Sequence, residues 1–340
     1  MVYSCRLGPA AGHAKIVVVA REGDPTLEEL KNLPEKATVL FRGTSIEEFS
    51  TPEGKKALGE ANVLLNCVGK KQLFSQLLPL APNLTWIHNR FAGVDSVLCP
   101  ALVDNNELHL TNARGLFSSS LAEHCLLSCL YFAKDVGRWK RNQQERKWEA
   151  FVVSEIRGAT LGVIGYGDIG QACARKAKAM DMKIIGQRRR PELSRGDGVA
   201  DEVLGADQVG DVIEKSDYVV VAAALTPETE KMVGAKELAR ARPHTIIINI
   251  GRGPLVDEEA VTTMLQEGRL RGAALDVFCT EPLPKESALW GMDNVLLSPH
   301  NADLTATFLH DSVRLFVDNM SNFLVGEEVS IHLVDKKAGY

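Results

Sequence analysis

Three side chains in the second half of the chain could together reduce a carbonyl group: Arg252, Glu281 and His300. Each follows a short apolar run, and these runs are Ile246–Ile250, Ala273–Phe278 and Val295–Leu297. When a hydride reaches a carbonyl carbon, the oxygen becomes an alkoxide, and a histidine can give it a proton near neutral pH. A carboxylate beside the ring favours its charged form, and a guanidinium can hold a carboxylate through paired hydrogen bonds. The set therefore predicts reduction of a 2-oxo acid.

A glycine-rich turn near the middle of the chain predicts the hydride carrier. It follows the apolar run Leu161–Ile164 and opens a helix-like segment from Gln171 to Met180. Its residues are Gly165, Tyr166, Gly167, Asp168, Ile169 and Gly170. Glycines at this spacing allow a sharp turn, close approach of a pyrophosphate and close packing of helix on strand. Free N–H groups at the helix start then favour phosphate, so the turn predicts a dinucleotide site.

The second strand after this turn predicts which dinucleotide is preferred. The run Lys183–Gln187 ends at Arg188, and Arg189 and Arg190 follow. NAD sites usually carry an Asp or Glu here, which binds the ribose 2′-hydroxyl, whereas an arginine accommodates a 2′-phosphate. The sequence therefore predicts NADP(H) in preference to NAD(H).

Two sets of apolar runs alternating with helical segments must position these residues. In the first third the predicted strands are Ile16–Ala20, Thr38–Phe41, Asn62–Val68, Leu84–His88 and Leu108–Leu110. In the second set they are Thr160–Ile164, Lys183–Gly186, Tyr218–Ala222, Thr245–Ile250, Gly272–Val277 and Val295–Leu297. This alternation is typical of parallel sheets covered on both faces. A long helix is predicted from N-capping serines at 118–120 through Asp135, and another from Leu304 to Leu324.

The predicted fold class is α/β, with two doubly wound parallel-sheet domains. A Rossmann cofactor domain, residues 116–299, is inserted into a flavodoxin-like substrate domain formed by residues 1–115 and 300–340. A chain of 340 residues can bury two such cores.

Composition excludes several other classes of protein. A net charge of −5 gives no reason to expect nucleic acid or an anionic membrane as partner. The seven cysteines form no C-x-x-C pair, which favours reduced thiols over disulfides or a metal site. We predict no metal. Without a signal peptide or an apolar membrane span in the sequence, we expect a cytoplasmic protein.

Taken in order, these motifs resemble the D-isomer-specific 2-hydroxyacid dehydrogenases, most of all the glyoxylate/hydroxypyruvate reductases. The resemblance rests on the glycine turn and on the segments Asn249–Gly253, Gly272–Val277, Glu281–Leu283 and Ser298–His300. It implies that Arg252, Glu281 and His300 form the catalytic set. It also implies that Asp276 and the backbone of Ile250 and Gly251 hold the nicotinamide carboxamide.

The resemblance implies two further groups of binding residues. Backbone amides in the segment Phe91–Asp95, at Ala92, Gly93 and Val94, would bind the substrate carboxylate. Ala224, Leu225 and Thr229 would border the adenosine. The family often has a proline at the position of Ala224, and NAD-preferring members have Asp at the position of Arg188.

The sequence allows more than one assembly and more than one exact activity. The family typically forms homodimers through the cofactor domains, which suggests a role for the segment from Ser118 to Phe151. Trp148 or Phe151 would either reach the partner's active site or pack in the core. The substrate would be glyoxylate or hydroxypyruvate. The alternatives are a dinucleotide-sensing, corepressor-like binding protein and a phosphoglycerate dehydrogenase-like enzyme.

Overall fold

The computed structural model describes residues 4–8, 11–68, 70–194 and 196–340. Its strands, numbered along the chain, are β1 Ala14–Val19, β2 Ala37–Gly43, β3 Val63–Asn66, β4 Trp86–Asn89, β5 His109–Asn112, β6 Thr160–Ile164, β7 Lys183–Gln187, β8 Glu202–Leu204, β9 Tyr218–Val221, β10 Ile246–Asn249, β11 Gly272–Leu275, β12 Val295–Leu297 and β13 His332–Leu333.

The α-helices are α1 Ile46–Phe49, α2 Pro52–Glu60, α3 Lys71–Leu77, α4 Pro100–Val103, α5 Ser118–Lys134, α6 Val136–Gln144, α7 Asp168–Lys178, α8 Val209–Lys215, α9 Ala235–Leu238, α10 Glu258–Gln266, α11 Phe308–Asp318 and α12 Met320–Val325. Short 3₁₀ helices cover Pro25–Asn32, Leu78–Leu80, Pro191–Leu193, Gly253–Leu255 and Ala288–Gly291. The described residues contain no helix that is both long and apolar enough to cross a membrane.

The chain divides into two compact units. One consists of Met1–Leu116 with Leu304–Tyr340, and the other is Phe117–Asp303. The domain boundaries expected from sequence, after residues 115 and 299, lie close to these divisions. Each unit has its own sheet and its own hydrophobic core.

In the first unit the described strands lie in the order β13-β5-β4-β3-β1-β2. All pair in parallel except β13, which runs antiparallel to β5 at the sheet edge. Side chains of β1 alternate between two cores, with Ile16 and Val18 on the face covered by Phe316 of α11, and Val17 and Val19 on the other. The sheet is therefore buried on both faces, as its near-continuous apolar strands require.

In the second unit the described strands lie in the order β12-β11-β10-β9-β6-β7-β8, and every pair is parallel. Chain order reverses where β6 lies beside β9, and ligands of open α/β sheets bind outside the carboxyl ends of the strands at such a point. The glycine turn follows β6 and therefore lies there. The predicted fold class is confirmed in both units.

Two predicted helix limits are wrong. Phe117, not a serine, occupies the N-cap of α5, because the Ser118 hydroxyl donates to the carboxylate of Asp168 instead of capping the helix. The predicted helix from Leu304 to Leu324 is two helices that meet at Asn319. The Asn319 side chain donates to the carbonyl of Leu315 at 2.8 Å and accepts from the N–H of Ser330 at 2.5 Å. Such local bonds compete with helix continuation.

Candidate active site

The glycine turn after β6 has the close contacts that its composition predicts. Gly165 has φ of +88°, and a Cβ there would lie 2.4 Å from the backbone nitrogen of Ala223. A Cβ on Gly170 would lie 2.4 Å from the carbonyl oxygen of Gly165. Both glycines are needed for α7 to pack against the strands at this point.

The start of α7 fits an anionic group. Gly167 is the N-cap residue, and within the described ranges no side chain caps the helix. Uncapped N–H groups and the helix dipole favour a phosphate. Asp168, in the first turn, has its carboxylate held by the Ser118 hydroxyl. These features are compatible with the expected pyrophosphate site, for which Gly167, Asp168, Ile169 and Gly170 would supply the backbone.

Tyr166 lies in this turn but its side chain points into the protein. The residue is buried, and its ring atoms come within 2.7 Å of where a Cβ on Gly186 would stand. Its hydroxyl donates to Asp197 at 2.8 Å, and burial raises the pKa of the Tyr166 phenol. Its N–H donates to the carbonyl of Gln187 at 2.7 Å. The side chain therefore holds the turn in place.

The arginines after β7 supply positive charge at the same edge of the sheet. Arg188 is half-buried and donates to the hydroxyl of Ser194, whereas Arg189 and Arg190 are exposed. In the loop after β9, the Thr229 hydroxyl donates to the carbonyl of Ala224 at 2.7 Å. That loop also contains Leu225 and follows the strand beside β6.

Arg252 is carried by a tightly held turn after β10. The buried carboxamide of Asn249 accepts from the N–H of Gly251 at 3.1 Å and donates to the carbonyl of Arg252 at 3.0 Å. The Arg252 guanidinium donates to the carbonyl of Gly251 at 2.8 Å. A Cβ on Gly253 would lie 1.9 Å from the carbonyl carbon of Phe278, so only glycine allows this approach.

His300 and Glu281 form a hydrogen-bonded pair. Nδ1 of His300 lies 2.8 Å from Oε2 of Glu281, and Oε1 of Glu281 accepts from the N–H of Phe278 at 3.0 Å. The carboxylate is thus fixed on one side by backbone and on the other by the imidazole. The histidine side chain is 42% exposed, so Nε2 is the ring nitrogen left to meet a substrate. His300 has φ of +51°, an uncommon conformation for a non-glycine residue.

Asp276 holds the turn that carries His300. It is 2% exposed. Its Oδ1 accepts from the hydroxyl of Ser298 at 2.6 Å and from the N–H groups of Asn301 and Ala302 at 3.1 and 3.2 Å. Its carbonyl accepts from the N–H of His300 at 2.8 Å. The structure therefore shows Asp276 holding this turn, and the carboxamide contact that the resemblance implied stays a prediction.

A carboxylate that sequence reasoning did not single out, Asp303, lies among these groups. Burial raises its pKa, His300 and Arg252 act to lower it, and Asp276 adds to the increase. Both Arg252 and His300 therefore favour the charged form of Asp303. In the described part of the chain, no cluster of His, Cys, Asp and Glu is arranged to hold a metal ion.

The predicted substrate loop belongs to the first unit and follows β4. The buried side chain of Asn89 donates to the carbonyls of Phe91 and Gly93 at 3.0 and 2.9 Å. Asn112 donates to the carbonyl of Ala92 at 2.6 Å. Val94 is buried in the core. The loop is thus shaped by amide side chains whose role the sequence did not indicate.

Three comparisons with known proteins agree on the family. Residues 126–302 match the model of the D-isomer specific 2-hydroxyacid dehydrogenase, NAD binding domain. The chain is 32% identical over 290 residues to a glyoxylate reductase from Thermococcus litoralis, covering 82% of this chain and 84% of that protein. It is 31% identical over 306 residues to a D-3-phosphoglycerate dehydrogenase from Methanocaldococcus jannaschii, covering 89% of this chain and 57% of that protein.

The fold is also that of a solved structure. An NADPH-dependent glyoxylate/hydroxypyruvate reductase from Sinorhizobium meliloti, in complex with NADP and sulfate, matches with a TM-score of 0.79 and 26% identity, covering 96% of this chain and 99% of that chain. The resemblance predicted from sequence is confirmed. The protein belongs to the D-isomer specific 2-hydroxyacid dehydrogenase family of oxidoreductases.

Proposed function

We propose that the protein reduces a small 2-oxo acid, glyoxylate or hydroxypyruvate, to the D-2-hydroxy acid with NADPH as reductant. The observation that carries this proposal is the 2.8 Å pair of His300 and Glu281, with the carboxylate anchored on the N–H of Phe278. This contact occupies Nδ1 and would leave Nε2 for the substrate. A general acid needs that orientation to give a proton to a developing alkoxide.

The other residues take roles that follow from their chemistry. Bound NADPH would supply the hydride. Arg252 would hold the substrate carboxylate and polarise the adjacent carbonyl. The resemblance also assigns carboxylate binding to the backbone amides of Ala92, Gly93 and Val94. Ile250, Gly251 and Asp276 would hold the carboxamide end of the cofactor.

The preference for NADPH rests on Arg188. It stands directly after β7, where an acidic side chain would repel a 2′-phosphate and an arginine attracts it. The similar reductase from Sinorhizobium meliloti is described as NADPH-dependent and was crystallised with NADP. Arg189 is exposed beside it and adds positive charge.

The test is a comparison of initial rates followed by loss of reduced-cofactor absorbance. We expect glyoxylate or hydroxypyruvate with NADPH to give the highest kcat/KM. An equal rate with NADH would refute the cofactor proposal. The similarity to a D-3-phosphoglycerate dehydrogenase makes 3-phosphohydroxypyruvate the necessary competitor substrate, and preference for it would replace the proposed substrate. A protein that binds NADPH but turns over no 2-oxo acid would support the corepressor-like alternative.

We further propose a cytoplasmic homodimer joined through the cofactor domains. Large apolar side chains are exposed between Ser118 and Val153, with Trp148 at 103% and Leu127 at 56% of full exposure. A second copy would remove such a surface from water. Light scattering of the purified protein should give twice the chain mass of 37.1 kDa, and a monomer would refute the assembly.

A further inference from the structure

The loop after β7 is fastened to the glycine turn and to α7 through side chains. The Ser194 hydroxyl accepts from the Arg188 guanidinium, and it also accepts from the Gln171 side-chain amide at 3.3 Å. Gln171 lies in the first turn of α7. The arginine proposed to read the 2′-phosphate and the helix proposed to bind the pyrophosphate are therefore joined at one hydroxyl.

Ser194 is itself held firmly. It is 2% exposed, although its neighbours Glu192 and Leu193 are exposed. Its N–H donates to the carbonyl of Pro191 at 3.0 Å, closing the 3₁₀ turn Pro191–Leu193. A buried hydroxyl on a closed turn is a fixed acceptor for the Arg188 guanidinium.

A second contact fixes the far side of the loop. Asp197 accepts from the Tyr166 hydroxyl at 2.8 Å and from the N–H groups of Val199 and Ala200 at 2.9 and 3.1 Å. The Tyr166 ring cannot move toward β7, because it already fills the space beside Gly186. The loop is thus attached to Gln171 of α7 at Ser194 and to Tyr166 of the glycine turn at Asp197.

We propose that Ser194 is a positioning residue that sets the preference for NADPH by holding the Arg188 guanidinium for the 2′-phosphate. This inference rests on the proposed function, specifically on Arg188 as the phosphate ligand. A long arginine side chain loses rotamer freedom when it binds, and one that is already anchored loses less. The resulting gain in affinity applies only to ligands with a 2′-phosphate, because the rest of the cofactor would not contact Arg188.

The test measures binding rather than turnover. Isothermal titration calorimetry on the full-length protein would use adenosine 2′,5′-bisphosphate, adenosine 5′-monophosphate, NADPH and NADH. We expect Ser194→Ala to weaken binding of the bisphosphate and NADPH about threefold to tenfold, as for the net loss of one ordinary hydrogen bond, while binding of 5′-monophosphate and NADH changes less than about twofold. Arg188→Ala should cause a larger loss of affinity, again confined to the ligands that carry a 2′-phosphate.

Ser216→Ala is the matched control. Ser216 is fully buried in the same unit, and its hydroxyl donates to the carbonyl of Val212 at 2.6 Å. This variant should lower the stability of the protein without changing the ratio of its NADPH affinity to its NADH affinity. If Ser194→Ala weakens all four ligands equally, Ser194 is only structural and the inference is wrong.

The arginine variant separates the two proposals. If Arg188→Ala is selective for 2′-phosphate ligands and Ser194→Ala has no effect, the cofactor proposal stands and the Ser194 inference falls. If Arg188→Ala changes no affinity, the cofactor proposal itself fails, and the role given to Ser194 fails with it.

Discussion

Replacing Asp276 by alanine should reduce catalysis by displacing His300. The change removes the acceptor for three donors, the Ser298 hydroxyl and the N–H groups of Asn301 and Ala302, at a position only 2% exposed. Each buried donor left without a partner costs about 1–3 kcal/mol. The same bonds oppose relaxation of His300, whose φ of +51° carries a strain of about 1–3 kcal/mol.

The expected loss is taken from the low end of the first term, about 3 kcal/mol for three unpaired donors. If about 3–4 kcal/mol of support for the competent turn disappears, kcat falls on the order of 10²–10³-fold, since each 1.36 kcal/mol is tenfold. Asp276→Asn should be milder. All three donors meet Oδ1, which an amide oxygen can replace. The strengthening by charge and the 3.3 Å contact of the Ala302 N–H with Oδ2 are lost, so kcat should fall about tenfold or less.

The assay is steady-state kinetics with NADPH and glyoxylate, together with cofactor binding followed by fluorescence. Asp257→Ala is the matched control, because Asp257 caps α10 through the N–H of Ala260 at 3.1 Å in the same unit. It should lower stability by about 1 kcal/mol and leave kcat unchanged. If Asp276→Ala keeps kcat within about threefold but weakens cofactor binding strongly, Asp276 acts on the carboxamide and the positioning argument is refuted.

Three further changes have definite expected outcomes. His300→Ala should lower kcat about 10²–10⁴-fold with NADPH affinity nearly unchanged in a fluorescence titration; retained turnover would mean that another group gives the proton. Burial lowers the pKa of His88 from 6.5 to about 3, so the folded protein keeps it neutral while the unfolded chain takes up a proton below pH 6.5. This contribution to stability is present above pH 6.5 and is lost as the pH falls toward 3. Urea unfolding followed by fluorescence of buried Trp86 should therefore lose about 2 kcal/mol more between pH 8 and pH 5 in the wild type than in His88→Gln, and equal losses would contradict the assignment. Gly253→Ala should cost about 1–3 kcal/mol of thermal stability and lower kcat, because the new Cβ meets Phe278 at 1.9 Å. The control is Gly59→Ala, which has no atom within 4 Å of the new Cβ and should lower neither thermal stability nor kcat.

The fold was predictable from sequence wherever a strand is buried on both faces. The runs Ile246–Asn249 and Tyr218–Val221 are fully buried, and such strands read as continuous apolar stretches. Strands β8 and β13 were not predicted. They have three and two residues at sheet edges, partly exposed, so neither apolar length nor alternation marks them.

The candidate site was predictable in its residue types but not in its supporting contacts. Arg252, Glu281 and His300 were found because each follows an apolar run, and carboxyl ends of parallel strands share one edge. The bond from Phe278 to Glu281 is made by a backbone N–H, which every non-proline residue has and which leaves no signal in the sequence. Tyr166 shows the same limit, because the turn motif does not tell whether a side chain points outward or inward.

Several strands in both units end in a buried amide side chain just before a turn. These residues are Asn66, Asn89, Asn112, Gln187 and Asn249, each at most 2% exposed. An amide both donates and accepts, so one side chain can satisfy a carbonyl and an N–H of the turn, as Asn249 does for Arg252 and Gly251. A carboxylate could only accept, so it could not also satisfy a carbonyl of its turn. Neutral amides therefore fix the turns after β4 and β10 without adding charge, whereas the turn that carries His300 is held by the carboxylate of Asp276.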